Sequence, residues 1–248
     1  MDEFLKQKFD MDHLPQWECP TCKRGILERK EDLLIQETAN TLTSHQHPEF
    51  DYEWVKYNIT GFLKCNNSRC SETVVITGVG EHDEHYFCDE YGQQQENRFV
   101  SIKPIFFYPP IKIFNVPPTV PEEIALMLEK SFALFFCDDN ACGNRIRATV
   151  EVMLDVLKVP DKSAEGKFIS LATRVENIND ISQSLKDKLN ALRLLGNAAT
   201  HGEGLLRRKD NVDAYKLLAH VFDKLFPTEE DELDVLSAGI IKNKGPVK

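Results

Sequence analysis

Four cysteines in two close pairs constrain this chain more than any other feature of its sequence. The first pair stands in Trp17-Glu18-Cys19-Pro20-Thr21-Cys22, the second in Cys65-Asn66-Asn67-Ser68-Arg69-Cys70. Each pair brackets a short turn and offers two thiolates, and two such pairs complete the tetrahedral ligand set of a Zn²⁺ ion. The chain has seven Cys, an odd number, and its start, MDEFLKQKFD, lacks the apolar stretch of a secretion signal. A disulfide framework is therefore not expected, and a cytoplasmic location is. Paired thiols in a reducing compartment read as metal ligands, with two unrelated pairs of free thiols as the bland alternative.

Details around the pairs support a structural Zn²⁺. Pro20 and the stretch Lys23-Arg24-Gly25 fit the tight turn that follows a thiolate knuckle. Lys23, Arg24, Lys64 and Arg69 place positive charge nearby, which favours ionised sulfur. Four Cys leave no open coordination position. His45 or His47, in the polar stretch TSHQHPEF, could stand in as a ligand, but Cys19, Cys22, Cys65 and Cys70 already complete the site. A second group, His82, His85 and Cys88 with Asp83 and Glu84 between, suits a metal by spacing and a solvated acidic loop by composition. Cys137 and Cys142 lie five apart in helical sequence, share no face, and read as buried small apolar residues.

The periodicity changes near the middle of the chain, which predicts an α+β protein. Residues 1–116 read as a zinc-ribbon-like β domain. Asp32–Thr38, Tyr52–Lys64 and Thr73–Val79 are strand-like, while Pro104, Pro109 and Pro110 demote Phe99–Val116 to edge strands or a connector. Pro117, Pro118 and Pro121 form a stiff linker, and Glu122 and Glu123 suit a helix first turn. Residues 117–227 then carry apolar residues at three- and four-residue steps, as in a helical bundle. Asp138 and Asp139 are candidate caps, Pro160 and Pro227 are stops, and Gly202 is a candidate C-cap. Residues 228–248 read as a flexible tail.

Within the helical half, Leu192–Gly202 (LRLLGNAATHG) places Arg193, Asn197 and His201 at i, i+4 and i+8, on one face. Gly196 and Ala198 are small enough for a close approach by another backbone or a ligand. Arg207, Arg208 and Lys209 follow as the strongest basic cluster of this half, and Arg145 and Arg147 could add to it. Arg147 and Glu151 also have the spacing of a local ion pair.

The segment LGNAATHG, preceded by FALFFCDDNACGNRIRATVEVML, resembles the bacterial domain of unknown function 4145 over about residues 120–227. That family is related to the HEPN superfamily of four-helix bundles, which often form homodimers and include metal-independent ribonucleases of toxin and phage-defence systems. The resemblance implies a HEPN-like bundle, a homodimer formed through it, and a site at the Arg-polar-x-x-x-His motif. Here Asn197 matches the polar position and His201 the His, while Gly196 stands where active members carry Arg. A glycine brings no charge to a phosphoryl transition state. Arg193 lies about 12 Å of helix rise from His201. Asn197 and His201 read equally well as a pair that satisfies buried polar groups.

The charge balance narrows the partners. With 40 acidic and 30 basic residues the net charge is −10, so any nucleic-acid contact must be a local patch. No apolar run is long enough to cross a bilayer. The function expected is a zinc-binding recognition or regulatory protein that takes RNA, a nucleotide or a protein partner in antiviral defence or stress response. The alternatives are a ribonuclease using His201 and a structural adaptor of a larger restriction-type complex.

Overall fold

A computed structural model describes residues 1–201 and 206–244, with the side chains of His201 and of residues 229–232 outside the described set. The chain is α+β, with an antiparallel sheet followed by helices. It divides into two compact units. One gathers Glu3–Lys112 and Phe132–Cys137, the other Met1–Asp2, Ile113–Ser131 and the chain from Asp138 onward.

The first unit is built on strands β1 (Phe9–Asp10), β2 (Leu27–Arg29), β3 (Leu34–Glu37), β4 (Lys56–Cys65), β5 (Thr73–Cys88) and β6 (Gln94–Tyr108), with a short helix α1 (Ala39–Ser44). The sheet order is β1-β6-β5-β4-β2, and β3 also pairs with β4. Every pairing is antiparallel. Strict alternation explains why β4 is a strand: Ile59, Leu63 and Cys65 are buried, while Asn58, Thr60, Phe62 and Lys64 between them are exposed. The inward side chains of β4, β5 and β6 meet a cluster of aromatic rings. Trp17 packs edge-on against Phe9 and Phe107, and Phe107 touches Phe136 at 4.7 Å between ring centres.

Two expectations change here. β5 does not stop at Val79 but continues through Cys88, so the acidic stretch is one arm of a hairpin and not a loop. The proline-bearing segment is strand through Pro104 as far as Tyr108, and Pro109 and Pro110 follow its end in a non-strand stretch. Pro104 stands opposite Gly78, where the β5–β6 register shifts. A bulge is where a residue without an N–H does least harm.

The second unit contains α2 (Glu122–Leu134), whose last turn belongs to the β unit, then α3 (Asp139–Val156), α4 (Leu171–Glu176), α5 (Gln183–His201), α6 (Arg208–Leu225) and α7 (Glu229–Asn243). Asp138 caps α3, its carboxylate accepting from the Ala141 N–H at 2.8 Å, and Ser170 caps α4 in the same way. Helix α5 packs against both α3 and α6. Their facing sides bury Ile146, Val150, Met153, Leu189, Leu192, Leu218 and Phe222. At the centre, the Tyr215 hydroxyl donates to Ser131 Oγ at 2.9 Å and lies 3.2 Å from Cys142 Sγ. Where the sequence reading expects a tail, the chain forms α7. The expected cap at Gly202 lies outside the described residues.

Candidate metal centre

Two turns bring the paired cysteines together. The first hangs from a short ladder in which Leu27 N–H donates to Trp17 O and Cys19 N–H to Gly25 O, both at 2.8 Å. The second is the turn between β4 and β5, closed by Cys65 N–H to Glu72 O at 2.8 Å. Leu27 pairs with Cys65 in the sheet, so β2 and β4 lock the two turns side by side. The residue after each pair, Lys23 at φ 55° and Ser71 at φ 52°, turns the chain through the left-handed region.

The sulfur atoms of Cys19, Cys22, Cys65 and Cys70 all lie within 4.8 Å of one another. Cys19 Sγ is 3.8 Å from Cys70 Sγ, and Cys22 Sγ is 3.7 Å from Cys65 Sγ. These distances are far beyond a disulfide. They match the edge of a tetrahedron with metal–sulfur bonds of about 2.3 Å, which is about 3.8 Å. Four thiolates so placed could hold one metal ion and would fill its coordination sphere.

The surroundings fit that use. The backbone N–H of Arg24 pulls the Cys22 thiol down to about 6, with help from the Gly25 N–H and against burial. Burial pushes Cys65 up to about 12, and the neighbouring thiols add to it. Without a cation, then, ionisation is favoured at Cys22 and resisted at Cys65 and Cys70. A divalent ion reverses that by charge. The positive side chains nearby favour ionised sulfur in the sequence reading, but the leading cause at Cys22 is a backbone group rather than a side-chain charge.

Two further residues escape a reading based on cysteine spacing. A Cβ on Gly25 would lie 2.5 Å from Cys65 Sγ and 2.9 Å from Asn67 Cβ, so only glycine fits between the turns. Asn67 sends its Nδ2 toward Cys22 Sγ at 3.6 Å while its Oδ1 accepts from the Arg69 N–H at 3.1 Å. The sequence signal was present in Gly25 and in the turn-forming Asn-Asn-Ser, but it named a turn and not a sulfur contact.

The other candidate ligands stand apart from the cluster. His45 Nε2 lies 2.7 Å from Glu37 Oε2, and His47 Nδ1 accepts from the Glu49 N–H. His82, His85 and Cys88 do not converge. On a strand, residues three apart face opposite sides, and six residues span about 20 Å. His82 instead lies 3.0 Å from the Tyr57 hydroxyl. Among the described residues the four-cysteine cluster is the one group placed to hold a metal. Cys142 is buried as expected, but Cys137 is exposed, because it falls in the turn between α2 and α3 rather than within a helix.

In the helical unit, α5 does carry Arg193, Asn197 and His201, and the side chain of His201 lies outside the described residues. Arg193 Nε donates to Asn190 Oδ1 at 3.2 Å, and Asn197 is half-buried. Gly196 is the point of closest approach to α3, since a Cβ there would sit 2.3 Å from Arg147 Cβ. The Arg147–Glu151 pair forms at 3.0 Å, and Arg145 Nη1 reaches Met127 Sδ at 3.6 Å. The expected basic cluster does not form a patch. Arg208 is buried, with its pKa lowered by desolvation, while Arg207 lies 3.7 Å from Asp210 and Lys209 lies 2.5 Å from Asp213. An arginine beside other cations reads as surface. Here the first turn of α6 carries Arg208 inward.

Comparison with known families divides the chain in the same region. Residues 129–243 match a family described as Domain of unknown function (DUF4145). Residues 7–107 match another, Domain of unknown function (DUF8608). The DUF8608 match contains all four clustered cysteines, and the DUF4145 match contains Gly196, Asn197 and His201. The DUF4145 match begins later than the stretch from about 120 read from LGNAATHG, and it extends through α7. No curated protein and no solved structure matches the chain. No helix among the described residues is long and apolar enough to cross a membrane.

Proposed function

We propose that this chain is a zinc-bearing recognition module. In this reading a zinc-ribbon-like β unit is held by a structural Zn²⁺ on Cys19, Cys22, Cys65 and Cys70. A HEPN-like bundle formed by the DUF4145 residues acts as a homodimer and takes RNA, a nucleotide or a protein partner in antiviral defence or stress response. The observation that carries the reading is the sulfur geometry, a closed tetrahedron with no position left for a substrate. Such closed sites organise a fold, whereas catalytic zinc keeps one position open. Tetrahedral S₄ also suits iron, so the metal is checked by elemental analysis of the purified protein. About one zinc per chain supports the reading, and a folded, metal-free protein rejects it.

A second reading, a metal-independent ribonuclease using His201, draws on the contact at Gly196. The Arg147 stem fills the space that a side chain at 196 would take. The stem of a cationic side chain on α3 thus lies against the helix that carries Asn197 and His201, while its guanidinium pairs with Glu151 at 3.0 Å. The test is incubation of EDTA-treated protein with total RNA beside His201→Ala. Cleavage that survives EDTA and disappears in the variant selects the ribonuclease; intact RNA at high protein concentration selects the recognition module.

A further inference from the structure

The outer face of the β-sheet carries three aromatic rings that the core does not use. Phe62 on β4 is 58% exposed, and Phe106 and Tyr108 on β6 are 40% and 64% exposed. The strand register puts them on one surface. Phe62 and Tyr108 both stand opposite Val75, and Phe106 stands opposite Thr77, which pairs with Thr60. Phe106 and Tyr108 are therefore about 7 Å apart along one strand, and Phe62 lies two strand spacings, about 10 Å, across from Tyr108. A cavity of about 310 Å³ opens on this face, lined in part by Gln36, Asn58, Thr60, Thr77 and Val79.

The charge of this face runs against that of the chain. Between the rows of Lys56 and Tyr108, strands β3 to β6 send Lys56 and Lys103 to it and one carboxylate, Glu81, and Lys64 follows one row beyond, opposite Glu28 of β2. Glu81 is already paired with Lys8 and with Lys56, the latter at 2.5 Å. At the rim, Glu28 is held by Lys30 at 2.5 Å. Among the described residues, neither Lys64 nor Lys103 has an ion-pair partner. The net charge of the whole chain, −10, repels polyanions, which makes a lysine-bearing face distinctive.

We infer that this sheet face binds single-stranded nucleic acid, with bases stacked on Phe62, Phe106 and Tyr108 and phosphates met by Lys64 and Lys103. Exposed aromatic rings on a flat face beside cations are what an unpaired strand needs: every base has a π-face, and the backbone is charged at each step. The cavity gives one unstacked base room, with Gln36, Asn58 and Thr60 as hydrogen-bonding partners for its edge. A duplex hides its bases and cannot use the rings. A protein partner fits less well, because protein interfaces are depleted in lysine at their centres. The inference deepens the recognition reading by naming a ligand class, and it places the site on the β unit rather than on α5.

The test uses the full chain, fluorescein-labelled 12-nucleotide oligo-U and oligo-dT, and a 12-base-pair duplex, read by anisotropy at 50 and 200 mM salt. Binding is expected for one or both single strands and not for the duplex; the two strands separate RNA from DNA. The double variant Phe106→Ala/Tyr108→Ala should weaken binding about tenfold or more. Lys64→Gln/Lys103→Gln should flatten the dependence of log affinity on log salt by about 1.4. These side chains are exposed, so circular dichroism should show all variants folded. Failure of both strands to bind at 50 mM salt overturns the inference. So does binding that the aromatic variant leaves unchanged. If such binding is lost in Arg193→Ala instead, the sheet site fails while recognition by the helical unit stands.

Discussion

The cysteine turns and the α5 segment both looked like sites in the sequence, and the structure treats them differently. At the turns, two pairs of like side chains come from positions 43 and 51 residues apart and end within 4 Å of each other across the pairs. On α5 the spacing of Arg193, Asn197 and His201 is kept, yet the neighbouring cations disperse: Arg208 goes inward, and Arg207 and Lys209 turn to Asp210 and Asp213. Convergence of identical ligands needs only two turns fixed side by side. Convergence of unlike groups needs each side chain aimed, and a helix surface offers each one a local partner first.

That contrast can be broken or sharpened by experiment. The largest effect is expected at the turns. Cys65→Ser, or a strong chelator, should release the metal and unfold the β unit, since structural zinc is worth about 10–16 kcal/mol of apparent binding free energy in small zinc folds. Elemental analysis and thermal unfolding followed by circular dichroism check this; an unchanged melting curve would make the cluster four ordinary thiols. Gly25→Ala should weaken metal binding without removing a ligand, because its Cβ would press on Cys65 Sγ at 2.5 Å.

A smaller effect is expected where α5 crosses α3. Gly196→Ala should cost about 1–3 kcal/mol through overpacking against Arg147, and Arg147→Gly in the same chain should recover part of it. Denaturant unfolding of the single and double variants measures both. Additive losses would deny the contact.

Tyr215→Phe should cost about 1 kcal/mol by removing the hydroxyl shared with Ser131 and Cys142. Burial raises the Tyr215 pKa well above the ordinary value of 10.0. Its neutral form therefore stabilises the fold fully below pH 10, and that contribution is lost as the pH rises further. Alkaline unfolding should thus be less steep in the phenylalanine variant. The smallest effect is expected on the hairpin: His82→Ala and Cys88→Ala should leave the metal content unchanged.

The legible parts of the sequence are those where one pattern governs many residues. The alternation through Ile59 and Leu63 marked β4, and the spacing of Ile146, Val150, Met153 and Leu154 marked α3. The far ends of β5 and β6 carry polar and charged side chains on both faces, so no alternation reveals them. Helix α7 escaped for a related reason: Leu233, Val235, Leu236 and Ile240 are exposed, and among the described residues their pattern answers to no core. At the candidate metal centre, cysteine identity and spacing named the four residues that cluster. The backbone N–H groups that tune Cys22, and the missing Cβ that admits Cys65, belong to the folded turns and have no signature of their own.

The separation of the two cysteine pairs also bears on how the chain is made. At synthesis rates of about 5–20 residues per second, the 43 residues from Cys22 to Cys65 take roughly 2–9 s to follow. During that interval the first turn can offer a passing ion only two sulfurs. Were the four thiols to hold an ion, full chelation would wait until Cys70, beyond the end of β4, had emerged and Leu27 had found Cys65, and capture would act as a checkpoint on correct strand pairing during translation.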